Sequence, residues 1–454
     1  MSEGMDVVQF PHLSCVPIDP EETGYINWGE LVPYVYTNWR EETLSWKTSC
    51  YLGANLSCFP PVDVKGKDAT RFCADFSVNK YKKFPVGSGK HLVTLTKEGD
   101  IMDHGLVLRT AEDTYQLWLM DFWPRYFASQ RDYDIEFVNY NPAPYVFQIA
   151  GPRSLEVIEN ACHEDLHDLK FMRFRDAEIA GHRVRVLRMG MGGTLAYEVH
   201  GPREEGIDVY NAIFEIGKKY GMRKLGVNQY MCNHTENGFP QQTLHFPGAT
   251  TEEPGFIQYM KDLSSDWYDE GWTGESIPKG SWSTDIHDYY RNPLEVGWGF
   301  MIDWDSNFYG KEALLKKKEA GVRKVVTLEW NVDDIMRSLH SYFEKGQEPY
   351  DDMPFPQDFG VMGAGENKYI QNTVLRNGKV VGVSMWRTYT LYYRRTISMA
   401  CVDQDLNEGD EVEIVWGDTG HRQINIRATI ARYPYLDLAR NKDFDMESIP
   451  HYAG

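Results

Sequence analysis

The chain has 454 residues, more than one hydrophobic core usually serves, so two or three domains are expected. Lys and Arg number 47 against 67 Asp and Glu, a formal charge of −20 that repels a phosphate backbone and argues against a general nucleic-acid binder. No stretch approaches the roughly 18 apolar residues that cross a bilayer, and acidic Met1–Phe10 lacks the core of an export signal, so a cytoplasmic protein without a membrane span is expected.

Residues 1–45 are irregular, broken by Pro11, Pro17, Pro20 and Pro33. Tyr115–Met120 and Tyr145–Ile149 read as buried strands. Gly151 and Pro152 then open a helix over Ser154–Ala161, with Leu155, Ile158 and Ala161 on one face. His182–Met189 is strand-like, Gly190–Gly193 a glycine-rich turn, and Leu195–His200 a further strand. Gly206–Tyr220 has helical periodicity and stops at Gly221. Phe239–Arg291 (239–291) is rich in Gly, Pro, Ser, Trp and acidic residues, and reads as an irregular functional insertion or an interaction surface. Lys316–Lys318 reads as a solvated helix face. Strands follow over Lys324–Trp330, Val374–Arg376, Lys379–Met385, Ile397–Val402, Glu411–Trp416 and Ile424–Ala431, with turns at Asn377-Gly378 and Gly409-Asp410. The expected architecture is an α+β region over 1–320 and an all-β, barrel-like domain over 321–454.

Seven cysteines, Cys15, Cys50, Cys58, Cys73, Cys162, Cys232 and Cys401, are scattered and never spaced as Cys-x-x-Cys, which fits reduced thiols. His163–His167 spells H-E-x-x-H, a zinc pattern when on a helix, but it falls at a polar helix tail without a clear third ligand and reads as a solvated helix end. The Gly190–Gly193 turn leads into a strand and not a helix, so it is no dinucleotide fingerprint. Glu198 on that strand can accept two parallel N–H bonds from a planar heterocycle, or the segment is a plain hairpin. In the polar stretch Gly226–Gly238, Tyr230 can donate a proton to a leaving oxygen, as can His234 or Glu236, or the stretch is an ordinary capped helix start. Aromatic residues make up 14%, which supplies flat surfaces for packing or for an aromatic ligand.

Asn292–Gly299, Asp303-Trp304-Asp305, Phe308–Leu314, Gly321–Glu329, Asn377–Gly382 and Arg427–Tyr435 together resemble the signature of the folate-dependent aminomethyltransferase family, whose fold is that of the glycine-cleavage T-protein. Gly151–Ser154 and Gly193–Glu198 occupy the places that the resemblance assigns them. Tyr34–Tyr36, Asn38–Arg40 and Gly226–Gly238 are most similar to the tetrahydrofolate-dependent aryl O-demethylases within that family. The resemblance implies folate-binding domains around a central channel and a C-terminal barrel. It also implies tetrahydrofolate as cofactor, bound through Glu198 with Tyr197 and Gly193, and a small methoxy-aromatic substrate. Tyr230 would act on the leaving oxygen with His234 as the other candidate acid, Tyr36, Asn55, Asp121 and Phe239 would contact substrate, and no metal is needed. Two departures bear on the donor. The family's carboxylate-holding arginine is missing from the strand end at Leu117–Asp121, the next being Arg125, and Asn55–Cys58 lacks the family's glutamine and histidines. An amine or sulfonium donor facing Asp121 or an aromatic cage is the alternative, and a non-catalytic folate-binding protein is another.

Overall fold

Alternating burial organises the C-terminal strands. In Ile424–Ala431, Ile424, Ile426, Ala428 and Ile430 are buried and the residues between them exposed, the period-2 pattern of a strand with one wet face. The computed structural model describes residues 11–27, 30–56, 60–119, 122–263, 276–358 and 367–452. Six strands run in the order Asn367–Arg376, Lys379–Thr390, Arg395–Val402, Lys324–Trp330, Ile424–Ala431, Glu411–Trp416, and the first also pairs with the last, closing a β-barrel. Leu328, Val374, Ala400, Val402, Ile414 and Ile426 fill its core. Asn377 and Gly378 both adopt positive φ, as the tight turn between two of these strands requires. A further strand, Ser276–Lys279, adds in parallel to Asn367–Arg376.

The chain divides into two compact units that interleave along the sequence. The first is Met1–Cys58, Asn141–Asn233 and Leu438–Gly454; the second is Phe59–Tyr140 and His234–Asp437. The second unit holds the barrel and a five-stranded antiparallel sheet ordered Ser88–Leu95, Ile101–Ala111, Thr114–Trp118, Val62–Lys65, Glu136–Asn139. Phe72, Phe76, Tyr115, Trp123, Phe127 and Phe256 form an aromatic core with this sheet, so much of the aromatic content serves packing. Phe256 comes from the helix Pro254–Leu263, so the segment read as irregular contains a helix with Phe256 and Met260 buried.

The first unit is a six-stranded sheet ordered Phe174–Ile179, His182–Leu187, Ala196–Gly201, Tyr145–Ala150, Tyr51–Ala54, Arg223–Leu225, with only the last pair parallel. The helices Trp39–Thr48, Ser154–Cys162 and Gly206–Gly217 accompany it. Asn38 caps the first of these, its side chain accepting the backbone N–H of Arg40 and Glu41. Gly151, before the second, has φ +134°, and a Cβ there would lie 2.3 Å from the Ser49 carbonyl oxygen, so only glycine fits.

Candidate active site

In the first unit, Glu198 stands directly opposite Gln148 on the neighbouring antiparallel strand, so both side chains share one face of the sheet. Gln148 Nε2 donates to Glu198 Oε1 at 2.9 Å and also to the Tyr230 oxygen at 3.3 Å. His200, two residues along the strand, lies with Nε2 3.0 Å from Glu198 Oε2. Burial lowers this imidazole despite the carboxylate beside it, so His200 is neutral and Nε2 carries the donated proton. Each carboxylate oxygen therefore accepts one hydrogen bond from the described residues and keeps a second acceptor site. Only 5% of Glu198 and 2% of Gln148 are exposed.

Tyr230 comes from the helix Val227–Asn237, and the division between the units falls inside this helix, after Asn233. The sequence gives the segment a polar, loop-like character, yet Asn228, Gln229, Asn233, His234, Thr235, Glu236 and Asn237 are all buried. The start of the helix is held by Glu42, which accepts the backbone N–H of Tyr36 at 2.8 Å and of Gly226 at 2.9 Å. Burial pushes the Glu42 carboxyl up to about 7, although the two N–H groups act the other way. Gly226 has no room for a side chain, because a Cβ would lie 2.2 Å from the Tyr34 carbonyl oxygen. Within this unit Gln148 Oε1 and both amide atoms of Gln229 are buried without a hydrogen-bond partner among the described residues. Each such group costs about 1–3 kcal/mol when left unmet, so these atoms have hydrogen bonds to give or accept from water or another molecule.

The remaining sequence-derived candidates fall in both units. Gly193 adopts φ +74° in the turn that feeds the Glu198 strand. Tyr197 is a correction: strand alternation sends its side chain to the face opposite Glu198, beside the Arg188 and Glu159 charges. Tyr36 packs with Tyr210, whose ring lies 5.4 Å from Phe147. Asn55 has φ +46°, and its side-chain oxygen accepts the Val146 N–H at 2.8 Å, so that oxygen is committed to the sheet. Asp121 lies outside the described residues. His234 and Phe239 belong to the second unit, with their rings 6.1 Å apart. There Phe239 also meets Trp298, His91 and His104. Neither histidine carries a sequence signal, since their nearness depends on strand pairing. Gln148 and Glu42 were equally hidden, because strand register sets the first beside Glu198 and helix packing the second beside Gly226, whereas His200 follows from alternation along the Glu198 strand.

The H-E-x-x-H match is not on a helix. The helix ends at Cys162, His163 turns into the left-handed region at φ +57°, and its Nδ1 pairs with the Tyr452 hydroxyl at 2.8 Å. His167 and Asp165 instead meet His451 near the end of the chain, with His451 Nδ1 2.6 Å and His167 Nδ1 3.1 Å from the Asp165 carboxylate. His167 also lies 2.9 Å from Glu159 and 3.1 Å from the Ile449 carbonyl oxygen, so this cluster ties the C-terminal segment to the first unit.

The profile of the GCVT N-terminal domain matches residues 27–248. Over 431 residues the chain is 38% identical to a sesamin methylene transferase from a Sinomonas species, covering 93% of this chain and 94% of that protein. It is 28% identical over 435 residues to a syringate O-demethylase from a Sphingobium species, covering 90% and 91%. Among solved structures, the glycine cleavage system aminomethyltransferase T from Bartonella henselae superposes with a TM-score of 0.64 at 14% identity, covering 92% of this chain and 95% of that one, a likeness of fold. No helix among the described residues is long and apolar enough to cross a membrane.

Proposed function

The chain belongs to the GCVT family of tetrahydrofolate-dependent one-carbon transferases, and from that premise we propose that it removes a methyl group from a methoxy-aromatic compound, giving a phenol and 5-methyltetrahydrofolate. The reading is carried by the buried row Glu198–Gln148–Tyr230 in the first unit, which joins a folate-type acceptor site to a phenol. The cofactor fits this row. Glu198 has two acceptor sites to spare for the ring N–H and amino group of a pterin, and the unmet Gln148 oxygen and Gln229 amide add acceptors and a donor. Tetrahydrofolate supplies the nucleophilic ring nitrogen that accepts the carbon.

The protein's own residues do three things in this reading. Gln148 and His200 fix the Glu198 carboxylate by donating to one oxygen each, so it is oriented before the pterin arrives. Gln148 also donates to the Tyr230 oxygen, which orients the phenol. Tyr230 gives its phenolic hydrogen bond to the aryl oxygen as the carbon–oxygen pair collapses onto it, an aid usually worth about 10²–10⁴ in rate. The relatives' names support an aryl ether as donor, one specifying O-demethylation and the other transfer of a methylene.

That second name supports a second reading, because the methylene transferase shares 38% identity and the O-demethylase 28%. A methylenedioxy-arene would give a catechol and 5,10-methylenetetrahydrofolate. The test incubates purified protein and tetrahydrofolate with methoxyphenols, methoxybenzoates and methylenedioxybenzenes, and identifies the folate product by mass. A 5-methyl product supports the first reading and a 5,10-methylene product the second. No folate product from any of them refutes both.

A further inference from the structure

His91 and His104 lie on paired antiparallel strands of the second unit, where Val93 opposes His104 and Leu106 opposes His91, so the two histidines are diagonal neighbours. Their tautomers are set by a backbone group. The Gln242 N–H donates to His104 Nε2 at 3.0 Å, so that nitrogen bears a lone pair. Burial, with the neighbouring imidazoles of His91, His234 and His245, holds His104 well below its usual range, so it is neutral and its proton sits on Nδ1. His104 Nδ1 is 3.2 Å from His91 Nε2 and donates to it. Burial lowers His91 below its ordinary value, so it too is neutral. A neutral His91 that accepts at Nε2 must carry its own proton on Nδ1.

That Nδ1–H has no protein acceptor among the described residues, although His91 is only half-buried and still reachable. Around it stand Trp298 at 4.6 Å, Phe239 at 5.0 Å and His104 at 5.1 Å between ring centroids. The result is one oriented neutral donor within a cluster of rings. This suits the edge of an oxygen-bearing aromatic ring, which can pack against the side chains while its oxygen takes the N–H.

We propose that His91 binds the aromatic donor by giving its Nδ1–H to a ring oxygen, that His104 positions it by fixing the tautomer, and that the preferred donors are uncharged arenes and not benzoates. The preference follows because a carboxylate brought among these rings would meet no positive imidazole, and burying it uncompensated is costly. It rests on the aryl-ether reading above and deepens it.

The full-length protein is titrated calorimetrically with 1,2-dimethoxybenzene and with 3,4-dimethoxybenzoate, which differ only by the carboxylate. The uncharged arene binds at least tenfold more tightly. His91→Phe, which keeps the ring and loses the donor, weakens that binding about tenfold, and His91→Gln, which keeps an N–H, stays within about threefold. With ¹⁵N-labelled histidine, the His91 Nδ1–H tautomer is seen directly and its signal shifts on adding the arene. Binding of neither compound, benzoate bound as tightly as the arene, unchanged affinity in His91→Phe, or an Nε2–H tautomer at His91 each overturns the proposal. The folate-product screen separates the parent reading. A protein that forms a folate product yet fails these binding tests keeps that reading and loses the role of His91. One that forms none loses the reading, while the His91 results stand as binding data.

Discussion

Replacing Glu198 tests the row in the first unit most sharply, and two substitutions must be compared. Glu198→Ala removes the acceptor for both Gln148 Nε2 and His200 Nε2, two buried donors that bond it at 2.9 and 3.0 Å. Leaving a buried donor unmet costs about 1–3 kcal/mol, so this variant should lose about 2–6 kcal/mol of stability, a large part of the usual 5–15. Its folate affinity would then be hard to interpret. Glu198→Gln keeps one acceptor oxygen for Gln148 and places an NH₂ group against His200. Neutral His200 can answer by moving its proton to Nδ1 and accepting at Nε2, so the interior stays paired and stability should fall by no more than about 1 kcal/mol. What is lost is the negative charge. A charge-assisted contact is worth about 1.5–3 kcal/mol, so tetrahydrofolate binding to Glu198→Gln should weaken roughly 10- to 150-fold. Urea unfolding gives the first quantity and anaerobic titration calorimetry with tetrahydrofolate the second. A Glu198→Gln protein that binds tetrahydrofolate within twofold of the parent refutes the pterin role, and a Glu198→Ala protein as stable as the parent refutes the bonding network.

Tyr230→Phe should lower kcat by about 10²–10⁴ with tetrahydrofolate affinity nearly unchanged, and the defect should shrink for nitro-substituted methoxy-arenes, whose phenolates leave more readily; an equal defect across the series removes the acid role. Glu42→Ala strips the acceptor from the Tyr36 and Gly226 N–H groups and should cost about 2–6 kcal/mol by urea unfolding, whereas a loss below about 1 kcal/mol would show that the helix start does not depend on it. The C-terminal clasp should be pH-sensitive in a defined direction. Burial lowers His167, but the Ile449 carbonyl and Glu159 outweigh it and leave it raised, and the bond to Asp165 raises His451. Their stabilisation is full below the ordinary imidazole value near 6.5 and lost as pH climbs through the raised values. Asp165, held at about 2 by the His167 N–H and by His451, contributes above about 3.8 and loses its effect as pH falls toward 2. Limited proteolysis of the C-terminal segment should therefore be slowest between about pH 4 and 6.5 and accelerate on both sides; a rate that tracks only the protease's own pH profile refutes the clasp.

The barrel was legible in the sequence because its strands carry their own pattern. Lys324–Trp330, Glu411–Trp416 and Ile424–Ala431 begin and end where alternation and the flanking turns place them. Burial on one face and water on the other writes a period of two into the chain. The helix Ser154–Cys162 was legible for the same reason at a different period. The burial of the helix Val227–Asn237 was not, because its residues are polar and a sequence alone equates polarity with exposure. Glu198 could be picked out from its turn and strand, but strand alternation removed Tyr197 from its side. Only register brought in Gln148, 50 positions away, while Glu198 two residues back on the same strand fixed the tautomer of His200. His91, His104 and Gln242 share no spacing that a reader could detect, yet two paired strands and one backbone N–H turn them into a single oriented donor. Local pattern is a property of neighbours in the chain, whereas hydrogen-bond direction depends on which distant atom arrives opposite, and that is decided only when the sheets close.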